Sequence, residues 1–184
     1  MRLIILDRDG VINEDSDAYI KSPAEWVPLP GSLEAIARLH HEGWRVVIAS
    51  NQSGLARGLF DLDAIMRIHE KMQRAIAQLG GVIDAIFFCP HGPEDNCRCR
   101  KPKPGLFEDI AARLRVDLQG VPAVGDSRRD IEAALAAGAA PILVRTGNGR
   151  DVSAQDATLT DVPVYDDLAA VVDALLSDAR AFET

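Results

Sequence analysis

The chain has 184 residues, enough for one domain whose core buries most of the surface an unfolded chain exposes. Hydrophobic residues make up 47% and charged residues 26%, the balance of a soluble globular protein. A formal net charge of −8 argues against a broad nucleic-acid or anionic-membrane surface, since both need clustered cations, but leaves room for one cationic pocket around a phosphorylated ligand. The elements then follow in order. Leu3–Leu6 is a continuous apolar run ending in a polar turn, which reads as a buried strand. It is too short for an export signal, and no apolar run approaches the ~20 residues of a membrane span, so a cytoplasmic protein is expected, and a monomer is taken as the default. Residues 11–30 read as irregular, punctuated by Pro23, Pro28 and Pro30. A helix is predicted from Ser32, with Leu33, Ile36, Ala37 and Leu39 on one face and Gly43 as its stop. Arg45–Ala49 is a second buried strand. A long helix spans about 61–79, with Ile65, Ile68, Met72, Ile76 and Leu79 at helical spacing. Ala85–Phe88 is a third strand. A helix near 105–114, a strand at 121–124, a helix near 129–137 and a strand at 141–144 continue the alternation. Residues 146–162 read as loop, and a last helix covers about 166–177.

Apolar strands alternating with helices are the pattern of a parallel sheet covered on both faces. In such sheets ligands bind at the carboxyl ends of the strands. The polar clusters fall at those ends: Asp7 and Asp9 after the first strand, Ser50-Asn51-Gln52-Ser53 after the second, a cysteine-rich loop after the third and Gly125-Asp126 after the fourth. A carboxylate just past a buried strand needs compensation. Asp7 and Asp9 are either solvated turn residues or a pair whose like charges are relieved by a bound hard cation such as Mg²⁺. With the cation, Asp7 could attack phosphorus and Asp9 could pass protons to and from the reacting oxygens. Ser50 could bind phosphate through its hydroxyl without adding charge, or cap a helix. Asp126 needs a partner, and Mg²⁺ is the simplest; Asp130 could support it or pair locally.

All three cysteines, Cys89, Cys97 and Cys99, lie in one eleven-residue stretch with His91, one of only four histidines. Three thiols and an imidazole suit a closed tetrahedral Zn²⁺ site, which is structural because no position is left for water. His40, His41 and His69 read as surface or packing residues. Arg98, Arg100, Lys101 and Lys103 crowd four cations into six residues, either solvated or aimed at phosphate.

The run Asp7-Arg8-Asp9-Gly10-Val11-Ile12-Asn13 resembles the first motif of the haloacid dehalogenase-like phosphatases. Ser50, a lysine after the third strand and Gly125-Asp126-Ser127-Arg128-Arg129-Asp130 follow in the order of the other motifs. The resemblance covers roughly residues 1–145. It implies a Rossmann-like three-layer α/β sandwich with the first strand between the second and fourth. It implies Asp7 as nucleophile, Asp9 as acid/base with its backbone carbonyl on Mg²⁺, and Asp126 as the remaining carboxylate ligand. It also makes Lys101 the phosphate-binding lysine, with Lys103 as competitor, and Arg100 a substrate-recognition residue. The Cys-x-His, Cys-x-Cys and Arg-Lys-Pro-x-Pro-Gly segments are similar to one subgroup, which hydrolyses heptose bisphosphates or histidinol phosphate. From that follows an expected phosphatase for a small phosphorylated sugar in lipopolysaccharide precursor synthesis, with a histidinol phosphatase second and a non-catalytic metabolite-binding protein a distant third. No insertion is long enough for a large cap domain, so one domain over 1–184 is expected. Substrate would then be held by loops carrying Asp15, Tyr19, Asn51, Gln52, Ser53 and Arg100. Two departures from the subgroup stand out: the His91–Cys97 spacing is short, and Ser127 stands where some heptose enzymes have lysine.

Overall fold

The computed structural model describes residues 2–155, 159 and 161–181. Six strands form one parallel sheet: β1 (Arg2–Leu6), β2 (Trp44–Asn51), β3 (Ala85–Cys89), β4 (Pro122–Gly125), β5 (Ala140–Val144) and β6 (Val164–Tyr165). The helices are α1 (Ser32–His41), α2 (Leu62–Gln78), α3 (Gly105–Leu114), α4 (Arg128–Ala136), α5 (Gly149–Gln155) and α6 (Leu168–Ala181). The strand order is β3-β2-β1-β4-β5-β6, so β1 lies between β2 and β4 as the family resemblance implies.

The two-residue period of the strands divides their side chains between two cores. Ile4, Leu6, Val46 and Ile48 pack on one face with residues of α1, α2 and α6. Leu3, Ile5, Val47 and Ala49 pack on the other with residues of α3 and α4. The expected three-layer α/β sandwich is therefore present. In α2, Asp61 caps the first turn by accepting from the Ala64 amide at 2.8 Å. Ile65, Ile68, Met72 and Ile76 are fully buried at helical spacing. Leu79 does not join them; it follows the last turn and is exposed.

One expectation needs correction, and one element went unread. The segment 146–162 is not all loop, because α5 occupies Gly149–Gln155. A sixth strand, β6, pairs with β5 through Leu143↔Val164 and Val144↔Tyr165. Its two residues are too few to show a period. Between β1 and α1 the described chain holds only a 3₁₀ turn at Pro23–Glu25, so no cap domain is inserted there. No helix among the described residues is long and apolar enough to cross a membrane.

Candidate active site and cysteine cluster

The carboxyl ends of β1, β2 and β4 open into a cleft of about 570 Å³. Every side chain expected to meet substrate or phosphate lines it: Asp7, Asp9, Asp15, Tyr19, Ser50, Asn51, Gln52, Ser53, Arg100, Lys101 and Asp126. Asp7 leaves β1 but stays paired with the sheet, its amide donating to the Val124 carbonyl at 2.9 Å. Its Oδ1 lies 3.1 Å from Lys101 Nζ. Lys101 is buried, and its ammonium also reaches Asp130 Oδ1 at 2.6 Å and the Ala49 carbonyl at 2.8 Å. These three contacts match the three donors of an ammonium. Lys103 instead donates to Asn96 Oδ1 at 2.7 Å and does not line the cleft, so Lys101 is the lysine at the site.

The charges do not balance. Asp7, Asp126 and Asp130 offer carboxylate oxygens that lie within 4.8 Å of one another, with one ammonium among them. Burial, followed by the charges of Asp130, Asp126 and Asp9, holds the Asp7 carboxyl well above the usual carboxylate range despite Lys101. Burial and the charge of Asp130 push Asp126 up to about 7. Asp130 is the contrast: burial would raise it, but the Lys101 ammonium and the Ser127 hydroxyl and amide hold it below its ordinary value. Ser127 Oγ donates to Asp130 Oδ2 at 2.5 Å, and the Ser127 amide does so at 3.0 Å. Asp130 thus both caps α4 and anchors Lys101. Three carboxylates against one ammonium leave a net charge of about −2 when all are ionised, which a divalent hard cation would neutralise.

Asp126 is cradled closely. Its Oδ2 accepts from the Asn148 amide at 2.9 Å and from Asn148 Nδ2 at 3.1 Å. A Cβ on Gly10 (φ +80°) or Gly147 (φ +56°) would stand 2.1 Å from the same oxygen. Asn148 Nδ2 also donates to Asp15 Oδ2 at 2.9 Å, tying the loop after β1 to the loop after β5.

Ser50 is buried at the end of β2, and its Oγ accepts from Gln52 Nε2 at 2.9 Å, which leaves its own O–H for a ligand oxygen. Asn51 clasps the Lys101 main chain from both sides, donating to its carbonyl and accepting from its amide at 3.1 Å each. Arg57 lies 5.9 Å over the Tyr19 ring. Arg100 donates to the His91 carbonyl at 3.3 Å while lining the cleft.

Asp9 is held differently from Asp7. Its carboxylate accepts from Arg8 Nε at 2.9 Å, Arg8 Nη2 at 3.0 Å, Asn13 Nδ2 at 2.8 Å and Gln52 Nε2 at 3.0 Å. It stands outside the carboxylate trio. Arg8 is fully buried, and its Nη1 lies 3.3 Å from His69 Nε2. Arginine has no acceptor, so that histidine nitrogen presents its lone pair. Burial, then the Arg8 charge, lowers His69 to about 4. Sequence reasoning gave no role to Arg8, Asn13 or Asn148, and read His69 only as a surface or packing residue; it is buried and faces Arg8. A charged residue between two aspartates at a buried strand end was the available signal for Arg8. The strand-end rule applied to β5 would have found Asn148.

Beside the cleft, at the carboxyl end of β3, Cys89, His91, Cys97 and Cys99 converge. The Sγ–Sγ separations are 3.2 Å (Cys99–Cys89), 3.6 Å (Cys89–Cys97) and 3.6 Å (Cys99–Cys97). His91 Nδ1 lies 3.6 Å from Cys89 Sγ and 3.3 Å from Cys99 Sγ. Those spacings are too long for disulfides and close to the edges of a tetrahedron with arms of about 2.3 Å to sulfur, roughly 3.8 Å. Burial pushes the Cys89 thiol up to about 12, so a cation at the cluster is what would make it a thiolate near neutral pH.

Comparison with known proteins agrees with this architecture. A family model described as HAD-hydrolase-like matches residues 98–171. A Bordetella bronchiseptica protein named D-glycero-β-D-manno-heptose-1,7-bisphosphate 7-phosphatase is 64% identical over 97% of this chain and 100% of its own length. A Pseudomonas aeruginosa protein of the same name is 51% identical over 95% of this chain and 97% of its own. The crystal structure of the B. bronchiseptica D,D-heptose 1,7-bisphosphate phosphatase, complexed with magnesium and phosphate, superposes with a TM-score of 0.95 at 63% identity, covering 97% of this chain and 99% of that one. The corresponding Burkholderia thailandensis enzyme gives a TM-score of 0.77 at 46% identity over 96% of this chain and 99% of its own. Sheet order, strand-end carboxylates and near full-length identity agree: the chain belongs to the heptose-1,7-bisphosphate 7-phosphatases, a branch of the haloacid dehalogenase-like hydrolases.

Proposed function

We propose that this chain is a Mg²⁺-dependent phosphatase that removes the 7-phosphate of D-glycero-β-D-manno-heptose 1,7-bisphosphate through an aspartyl-phosphate on Asp7. The observation that carries the chemistry is the Asp7 carboxylate at the cleft floor, 3.1 Å from a buried ammonium and within 4.8 Å of two further carboxylates. The substrate is read from the relatives, whose names specify it over nearly the whole chain.

Asp7 and Asp126, with the backbone carbonyl of Asp9, would hold Mg²⁺, which suppresses repulsion between the Asp7 carboxylate and the phosphate. Asp130 is spent on Lys101 and Ser127, so it serves as their anchor. An Asp7 oxygen attacks phosphorus in line with the leaving oxygen, and the P–O bond to C7 breaks. Asp9 gives its proton to that oxygen. Water then enters on the same face; Asp9 takes its proton, the new P–O bond forms, and the acyl-phosphate bond breaks to restore Asp7. Lys101 and the Ser50 hydroxyl hold non-reacting oxygens and are worth most where charge builds up. The sugar and its 1-phosphate lie among the loops of Asp15, Tyr19, Gln52, Ser53 and Arg100, so that remote binding orients the reacting end.

The cysteine cluster would hold Zn²⁺ as a structural ion through Cys89, His91, Cys97 and Cys99, whose ligand atoms converge. The test of function is phosphate release from both anomers of the heptose bisphosphate, from histidinol phosphate and from small sugar phosphates, with and without Mg²⁺. Fastest turnover of the β anomer, leaving the 1-phosphate, is expected. Much faster turnover of histidinol phosphate would overturn the substrate and leave the phosphatase chemistry standing.

A further inference from the structure

Arg8 poses a problem of its own. Its guanidinium is fully buried, one residue from the proposed nucleophile, where a charge is costly unless it is paired and hydrogen-bonded. It is spent on no phosphate position. Nε and Nη2 grip the two oxygens of Asp9 as a fork, at 2.9 and 3.0 Å, and Nη1 turns back to His69 Nε2 at 3.3 Å. His69 comes from α2, 61 positions away, and its ring is fixed in turn by an edge contact with Phe88 of β3, centroids 5.8 Å apart. The chain Phe88–His69–Arg8–Asp9 therefore runs from the edge of the sheet to the carboxylate.

We propose that Arg8 and His69 are positioning residues for proton transfer: Arg8 sets the plane of the Asp9 carboxylate, and His69, accepting from Arg8, sets the plane of the guanidinium. A carboxylate can accept at about four lone-pair sites. Asp9 has four N–H donors on them, from Arg8 twice, Asn13 and Gln52. Arg8 is the only one that reaches both oxygens, so it alone fixes the plane of the group. Of these donors only Gln52 lines the cleft; Asn13, Arg8 and His69 are buried away from it. To take or give a proton, one Asp9 oxygen must exchange an N–H donor for the substrate oxygen. The fork keeps the other oxygen, and the plane, in place while that happens. A planar two-point grip is a property of arginine that lysine lacks.

This inference rests on Asp9 as the general acid of the proposed reaction, so its test is one that reads proton donation directly. An alkoxide leaving group needs the proton; p-nitrophenolate leaves without it. In the Mg²⁺-loaded full chain, kcat/KM reports formation of the phospho-enzyme, before any water attack. Asp9→Asn is the reference: it should lower kcat/KM on the heptose bisphosphate by about 100-fold or more relative to its effect on p-nitrophenyl phosphate. Arg8→Lys and His69→Leu should show the same selectivity, each about 10-fold or more. His69→Gln should stay close to wild type on both substrates, since its carbonyl oxygen can accept from Arg8. If Asp9→Asn discriminates between the leaving groups but Arg8→Lys and His69→Leu lower both substrates equally, the positioning role is overturned and the general-acid assignment stands. If Asp9→Asn itself fails to discriminate, both fall. Should Arg8→Lys not fold, the His69→Leu and His69→Gln pair decides alone, with equal behaviour of the two on both substrates counting against the proposal.

Discussion

At Gly10 one missing methyl decides whether Asp126 can stand where it does. The backbone there is left-handed, φ +80°, and a Cβ would lie 2.1 Å from Asp126 Oδ2. Gly10→Ala should therefore lose about 1–2 kcal/mol from backbone strain alone and, by pushing the carboxylate away, weaken Mg²⁺ binding by about 10-fold or more. Thermal melts with and without Mg²⁺ would measure both. Asp7→Asn makes a different prediction. Turnover should fall on the order of 10⁴-fold or more, as when a nucleophile is removed. Yet the Mg²⁺-free protein should melt no lower than wild type, because burial already penalises the charged form of Asp7 and Lys101 keeps Asp130. A large fall in melting temperature would mean that the Asp7–Lys101 contact holds the fold. The strand-end residues that line the cleft were legible in the sequence because a buried strand followed by Asp or Ser is a local signal. Arg8 and His69 were not, since their pairing spans 61 positions and only the fold brings α2 over the end of β1. Asn51 was legible as a strand-end polar residue but not in its task, because its partner, the Lys101 main chain, is 50 positions away.

At the level of the element, the loop from Cys89 to Pro104 carries Arg100 and Lys101 into the cleft, although it holds only a 3₁₀ turn at Pro93–Asp95 and most of its side chains are exposed or half-buried. A tetrahedral ion would supply the cross-links that a core supplies elsewhere. Cys97→Ser should lower zinc content from about one ion per chain, read by elemental analysis. It should also raise KM by about 10-fold through Arg100, whose guanidinium leans on the His91 carbonyl. Full activity in zinc-free protein would defeat this. The strands and helices that the sequence revealed are those with a period or a long apolar run: Ile65, Ile68, Met72 and Ile76 declare α2 outright. α5 was hidden because Gly149, Arg150, Asp151 and Ser153 give no apolar face to read, and β6 because two residues have no period. Both sit beside β5, where tertiary pairing rather than local pattern decides.

For the molecule as a whole, two buried groups pull stability in opposite directions with pH. Folded His69 refuses a proton until about pH 4, whereas in the unfolded chain it takes one near 6.5. Between those values the unfolded state binds the extra proton, so the stability present above 6.5 is lost as pH falls. Folded Asp126 keeps its proton to about 7 against 3.8 unfolded, so its contribution is present at low pH and is lost as pH rises through that window. His69→Gln removes the first, so its stability relative to wild type should improve by on the order of 3 kcal/mol between pH 7 and pH 4. Denaturant melts at the two pH values would show it, and parallel curves would contradict the burial of a neutral His69.

The central place of β1 carries a further consequence. Asp7 is flanked by paired strands on both sides, and its own amide donates to Val124 inside the sheet. A backbone N–H so placed is released to solvent only when the sheet itself opens. Deuterium should therefore enter the peptide carrying Asp7 as slowly as it enters any strand interior. The peptide over residues 14–25, which brings Asp15 and Tyr19 to the same cleft, should label early. The proposed nucleophile and the residues proposed to greet the sugar should thus belong to opposite ends of the molecule's exchange spectrum: one keeping time with global unfolding, the other with the breathing of a loop.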